Sequence, residues 1–151
     1  MLGAVVRLRM ELGDSDDGGA VELELRARLH AFNVAETGID DGALLVITVR
    51  EDGNDAGDAG NIVAGLFGWT WGGTAFVDLL HVDESRRGAG LGSRLLAEAE
   101  AEGRRRGCRQ VVLATHTFQA PAFYAARGYT EYGRVDGYPV GHGQVHLVKR
   151  L

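Results

Sequence analysis

Apolar residues recur along this chain at two periods, and the places where one period gives way to the other mark out its elements. Residues 18–33 carry Val21, Leu25, Leu29 and Phe32 at helical spacing, and the run beginning at Leu91 sets Leu91, Leu95, Leu96 and Ala99 on one stripe. β-Branched or continuous apolar runs at residues 43–49, 62–71, 77–82 and 110–115 read as strands, and further strands are expected at residues 4–12, 129–135 and 144–149. Pro121 is placed to start a short helix that ends at Gly128. The helix from Leu91 should stop at Gly107, with Arg104, Arg105 and Arg106 complementing its dipole as a solvated end. Phe67, Trp69 and Trp71 share one strand face, for which core packing is the first reading and the lining of an acceptor pocket the second. Strands alternating with helices in this way predict an α/β domain built on a mixed sheet. Between its elements lie two acidic, glycine-rich loops, at residues 14–19 and 52–61.

Composition narrows the class. At 151 residues, 45% of them apolar, the chain is expected to form one domain over residues 1–151 that buries a core without staples. Its one cysteine, Cys108, gives no disulfide framework. His142 and His146 are spaced like metal ligands but gain no third ligand in the sequence, so no metal is expected. A formal net charge of -5 argues against non-specific nucleic-acid binding, which needs a basic face. Charged residues from Arg7 to Glu11 interrupt any apolar leader, and no run approaches membrane-spanning length. A soluble cytoplasmic protein, with neither nucleic acid nor membrane as partner, is the expectation.

The stretch Arg86-Arg87-Gly88-Ala89-Gly90-Leu91-Gly92-Ser93-Arg94 changes the picture most. It sits between a strand and an amphipathic helix, where alternate glycines admit a ligand close to the backbone and the helix start offers free N–H groups. Three arginines in an acidic chain favour the same kind of ligand, an anion such as phosphate or pyrophosphate. A Walker A loop is excluded because no lysine precedes Ser93. A dinucleotide fingerprint is excluded because the glycines lie two apart, and because the strand about 20 residues on carries no acid for the ribose.

What remains, Arg87-Gly88-Ala89-Gly90-Leu91-Gly92, resembles the Gln/Arg-x-x-Gly-x-Gly/Ala signature of the GNAT superfamily of N-acetyltransferases, whose turn holds the pyrophosphate of acetyl-coenzyme A. Asp78-Leu79-Leu80-His81-Val82-Asp83 is similar to the family's fourth strand, which runs beside pantetheine. Ala120-Pro121-Ala122-Phe123-Tyr124-Ala125-Ala126-Arg127-Gly128-Tyr129 resembles its Ala-x-x-Phe-Tyr-x-x-x-Gly-Phe segment, with Tyr in the last place and Thr117 where the family often has Asn. The resemblance implies a GNAT-like fold with a mostly antiparallel sheet of about six to seven strands flanked by helices. It implies an acetyl-coenzyme A-dependent N-acetyltransferase acting on a primary amine of a small molecule or peptide by direct attack in a ternary complex. A homodimer is possible on the same grounds.

For the cofactor the resemblance points to Leu80, His81 and Val82 along the strand, to Arg87, Gly88, Ala89, Gly90, Leu91, Gly92 and Ser93 in the turn, and to Gln119 and Phe123 downstream. It places Tyr124 beside the sulfur, to protonate the leaving thiolate, and the Val82 N–H at the thioester oxygen. Strand alternation sets Asp78 on one side with Leu80 and Val82, which makes it the first candidate for the base that takes the amine's proton, with Glu36 and His116 as competitors. His81 falls on the other face, where packing is its expected role. In relatives the acceptor site is lined by segments that correspond to residues 33–41 and 132–142, where Glu36, Asp40, Asp41 and Asp136 suit a cationic amine. Two other classes stay open: a non-catalytic acyl-coenzyme A sensor, and an unrelated nucleotide-binding module sharing only the turn.

Overall fold

Residues 18–51 and 60–151 are described by a computed structural model, in two compact units, one ending at Ile39 and the other running from Asp40 to Leu151. The strand expected at residues 4–12 and most of both acidic, glycine-rich loops lie outside the described residues. The first unit holds α1 (Gly18–Thr37), which runs further than its apolar spacing predicts. Glu22 with Arg26 and Glu24 with Arg28 form ion pairs one turn apart on it. It is closed by Gly38, whose φ of 69° is left-handed and whose N–H donates to Val34 O at 2.8 Å.

The second unit is a six-stranded sheet of β1 (Ala43–Arg50), β2 (Ile62–Trp71), β3 (Thr74–Val82), β4 (Gln110–His116), β5 (Thr130–Asp136) and β6 (Gly143–Arg150). The spatial order is β1-β2-β3-β4-β6-β5, and every neighbouring pair is antiparallel except β3 with β4. That one parallel pair requires a crossover, supplied by α2 (Leu91–Arg105); α3 (Pro121–Ala125) follows β4. The mixed, mostly antiparallel sheet with flanking helices is the fold the sequence resemblance implies.

Leu95, Leu96 and Ala99 of α2 are buried with Leu45, Leu66, Ala75, Val77, Val111, Leu113, Val145 and Leu147 of the strands. Leu96 is 1% exposed, a position where truncation to Ala costs about 2–5 kcal/mol. Close approach of α2 depends on Gly103, where a Cβ would stand 3.3 Å from Leu151 Cδ1 and 3.4 Å from the Ala75 Cβ. The same helix buries a carboxylate, Glu100. Lys149 Nζ of β6 donates to it at 2.6 Å and the Tyr129 hydroxyl at 3.1 Å, so the charge is paired and bonded.

Three expectations need correcting. Phe67 and Trp69 alternate with buried Leu66 and Thr70, so they lie on the face away from α2 and stay exposed; Trp69 stacks on Phe76 with ring centroids 5.3 Å apart. Arg106 is no solvated end: its Nη1 donates to Leu44 O at 2.8 Å and to Thr70 Oγ1 at 3.2 Å, tying the end of α2 to β1 and β2. The helix from Pro121 ends at Ala125 rather than Gly128, because the Arg127 and Gly128 N–H groups turn back to Tyr124 O and Ala125 O, three residues behind them.

Strand β3 carries the feature that positions the site. Phe67 opposes Leu79 and Gly68 opposes Val77, so Asp78 has no partner across the ladder and forms a β-bulge. The extra residue reverses the alternation: Ala75 and Val77 belong to the core before it, and Leu80 and Val82 pack against the same core after it. Gly68 permits this. A Cβ there would overlap the Phe76 carbonyl oxygen and stand 3.2 Å from Val77 Cα.

Candidate active site

Strands β3 and β4 pair only from Thr74 with Gln110 to Val77 with Leu113. Beyond that point β3 is held by β2 alone and β4 by β6 alone, so their facing edges part. The Asp83 N–H donates to Val63 O at 2.9 Å, and antiparallel alternation then turns the N–H and C=O of Val82 and Leu80 away from β2, onto the open edge. Arg87 Nε reaches that edge and donates to Val82 O at 3.2 Å.

A cavity of about 800 Å³ fills the gap. One wall is residues 77–82 of β3; the facing wall includes Leu113, Ala114 and Thr115 of β4. Its mouth is formed by the glycine turn with the start of α2, and by Phe118, Gln119, Ala120, Phe123, Tyr124 and Arg127. Leu80, His81, Val82, Arg87, Gly88, Gly90, Leu91, Gly92, Ser93, Gln119 and Phe123, all singled out by sequence, thus come together around one space, with Ala89 between two of them in the turn.

Within the turn, Gly88 (φ 81°) and Gly90 (φ 80°) adopt the left-handed backbone that other residues avoid, and nothing stands within 4 Å of where their Cβ atoms would be. The first bond of α2 is from Arg94 N–H to Gly90 O, at 3.0 Å. None of the N–H groups of residues 88–93 meets a protein acceptor among the described residues. Unpaired donors at a helix start, under open space, form an anion cradle. Gly92 serves differently: a Cβ there would touch the Phe123 ring at 3.4 Å, so this glycine lets the ring lie against the helix.

The downstream segment closes the site. Gln119, a lining residue of the cavity, accepts on Oε1 from His116 N–H at 2.8 Å and from Thr115 Oγ1 at 3.1 Å, which leaves its amide NH2 group for other partners. Tyr124 is 8% exposed and edge-on to both Phe123 and Tyr129, with centroids 5.0 and 5.8 Å away. Burial raises its phenol above the ordinary value, and among the described residues the hydroxyl has no protein partner. A neutral phenol with its proton uncommitted at a cavity wall is equipped to donate it.

Asp78 lines the cavity as the bulged residue, so it stands at the break in alternation and not on a continuous face with Leu80 and Val82. His81 is exposed and its Nε2 lies 3.1 Å from the Asp83 carboxylate, which corrects the expectation that it packs. His116 stacks on Phe118 and its Nδ1 donates to Tyr138 O at 3.1 Å. Thr117 pins the β5–β6 turn, accepting from Gly143 N–H on its Oγ1 and donating its own N–H to Gly143 O. His142 lies in that turn, edge-on to Phe118, while His146 lies on β6 against Tyr132. Glu36 falls in the last turn of α1 and Arg86 pairs with Glu51. Sequence reasoning missed Arg127, Phe118 and Thr115 as cavity residues. The position of Arg127 within the Phe-Tyr segment was the available signal for the first of these.

The family model described as "Acetyltransferase (GNAT) family" matches residues 16–129. A blasticidin-S acetyltransferase of Streptomyces morookaense is 46% identical over 99 residues, 63% of this chain and 71% of that protein. A crystal structure assigned as an acetyltransferase, from Agrobacterium tumefaciens, is 35% identical with a TM-score of 0.83, covering 95% of this chain and 100% of its own. A structure assigned as a streptothricin acetyltransferase, from Bacillus anthracis and in complex with acetyl coenzyme A, shares the fold at 17% identity and a TM-score of 0.54, over 75% of this chain and 89% of its own. No helix among the described residues is long and apolar enough to cross a membrane.

Proposed function

This chain belongs to the GNAT family of acetyltransferases, and from that premise we propose that it moves an acetyl group from acetyl-coenzyme A to a primary amine of a small molecule or peptide. The observation that carries this reading is the pairing of an anion cradle at residues 88–93 with an open-edged gap that leads from it to an uncommitted tyrosine hydroxyl. The cradle suits a pyrophosphate. The open edge of β3 suits an amide-bearing arm such as pantetheine, which can bond to Leu80 as a neighbouring strand would. The complex of a fold relative with acetyl coenzyme A supports the same donor.

In the proposed reaction, direct within a ternary complex, the amine nitrogen attacks the thioester carbonyl carbon; the C–N bond forms and the C–S bond breaks. The Val82 N–H, turned to the gap, is placed to bond the thioester oxygen as it gains charge. Asp78 accepts the proton that the amine loses, directly or through one water. Tyr124 gives its proton to the departing thiolate. Leu80, His81 and Val82 flank the pantetheine arm; Arg87, Gly88, Ala89, Gly90, Leu91, Gly92 and Ser93 hold the pyrophosphate, with Gln119 and Phe123 beside them.

Calorimetric titration with acetyl-coenzyme A, followed by thiol-release assays across amines, tests the reading. Saturable binding at one site per chain with amine-dependent thiol release supports it. Binding with no release for any amine supports a sensor instead, and no binding refutes the donor.

A further inference from the structure

Arg127 forms no ion pair among the described residues. It lines the cavity half-buried, and its partners are a ring, a carbonyl and a hydroxyl rather than a carboxylate. Its guanidinium lies 3.7 Å from the centroid of the Phe123 ring, in cation–π geometry. Nη1 donates to Phe123 O at 2.6 Å, and both Nε, at 3.1 Å, and Nη2 donate to Ser93 Oγ.

Those bonds determine the state of Ser93. A guanidinium can only donate, so Ser93 Oγ is an acceptor toward Arg127, taking two hydrogen bonds from one edge of the fork. The hydroxyl's single hydrogen must then point elsewhere, and Ser93 stands in the first turn of α2 at the cavity wall, in the row of unpaired N–H donors. The stacked ring extends the effect: Phe123 is clamped between Arg127 and the close approach at Gly92. One arginine, 34 residues away in sequence from the serine it holds, therefore contacts two residues that line the cavity, Ser93 and Phe123.

We propose that Arg127 is a positioning residue of the cofactor cradle, holding Ser93 so that its hydroxyl hydrogen is aimed at a cofactor phosphate and supplying the positive charge that phosphate neutralises. This deepens the donor assignment and rests on it. A serine without that arginine is free to turn its hydrogen to any neighbouring acceptor, so the two residues should act as one unit.

The test is a double-mutant cycle on coenzyme A binding, measured by calorimetry with Ser93→Ala, Arg127→Gln and both together, with Arg127→Lys as the charge-preserving variant and thermal melts alongside. Arg127→Gln is expected to weaken binding tenfold or more. In the Ser93→Ala background the same change should cost at most threefold, and Arg127→Lys should recover less than half of the loss on a logarithmic scale, because an ammonium cannot fork onto Ser93 and Phe123 O together. Fully multiplicative effects of the two changes overturn the proposal, as does wild-type affinity in Arg127→Lys. If Arg127→Gln fails to fold, Ser93→Ala and Arg127→Lys still decide: equal binding by either variant and wild type overturns it. A wild-type protein that does not bind coenzyme A refutes the donor assignment itself, an outcome distinct from a wild type that binds and a cycle that is additive.

Discussion

Replacing Gly68 by alanine should damage the protein far more than a single methyl usually does. The added Cβ would overlap the Phe76 carbonyl oxygen, with the Phe76 carbonyl carbon at 3.0 Å and Val77 Cα at 3.2 Å, all of them backbone atoms that no rotamer change can move aside. Relief requires β2 and β3 to part beside the bulge. Overpacking of this kind costs roughly 1–3 kcal/mol, and each ladder bond lengthened in the process about 1 kcal/mol more. With about two ladder bonds lengthened, a loss of roughly 3–5 kcal/mol is expected from these two sources together. With a urea m-value of about 1–3 kcal/mol/M, the unfolding midpoint should fall by on the order of 1–2 M or more. Equilibrium unfolding followed by circular dichroism measures it, with Gly42→Ala as control, because a Cβ at that glycine meets only Trp71 Cδ1 at an ordinary 3.7 Å. Gly68→Ala protein that remains folded should also lose turnover, since the bulge sets which side Asp78, Leu80 and Val82 present. Equal midpoints for wild type and Gly68→Ala, at equal m-values, would refute the close-approach argument.

Three further outcomes are expected. Gly90→Glu should abolish acetyl-coenzyme A binding by putting bulk, a carboxylate and a side chain at φ 80° into the cradle; calorimetry reads it, and unchanged affinity removes the pyrophosphate assignment. Tyr124→Phe should lower kcat about 10²–10⁴-fold, the scale of a lost general acid, with little change in cofactor affinity; equal turnover takes the hydroxyl out of the mechanism. Stability should fall as pH rises through and beyond the ordinary tyrosine value of 10.0. Burial, and then the Glu100 charge, raise the Tyr129 phenol, so the unfolded chain ionises first. The loss should be shallower in Tyr129→Phe and still present, because Tyr124 and Cys108 shift in the same direction.

Period and punctuation made most elements legible. Strand β2 occupies the residues its apolar run marks, and α2 starts at Leu91 and stops short of Gly107, because a left-handed glycine is a local requirement that any sequence displays. The turn at residues 88–93 was legible for the same reason: its chemistry is backbone chemistry, and glycines announce it. What escaped depends on partners distant in sequence. The bulge at Asp78 is set by the register of β3 against β2, and its one local trace was Gly68 inside a strand. Phe67 and Trp69 read as core because alternation shows that two faces differ without showing which face α2 covers. Arg106 looked solvated because its acceptors, Leu44 O and Thr70 Oγ1, come from strands early in the chain. Ser93 was read from the sequence as a cradle residue and Arg127 was not, although the two are hydrogen-bonded to each other.

A sheet joined at its middle by the few residue pairs from Thr74 with Gln110 to Val77 with Leu113 is half unzipped by construction. A ligand that bonds to the free edges of both β3 and β4 acts as the missing teeth, knitting the β1–β2–β3 leaf to the β4–β6–β5 leaf. Binding of that kind adds its free energy to folding: at a hundredfold excess over Kd it contributes about 2.7 kcal/mol, a large share of a typical domain's net stability of about 5–15 kcal/mol. The stability of such a protein would then rise with the concentration of whatever ligand seats in that gap, so that the fold itself reports on occupancy.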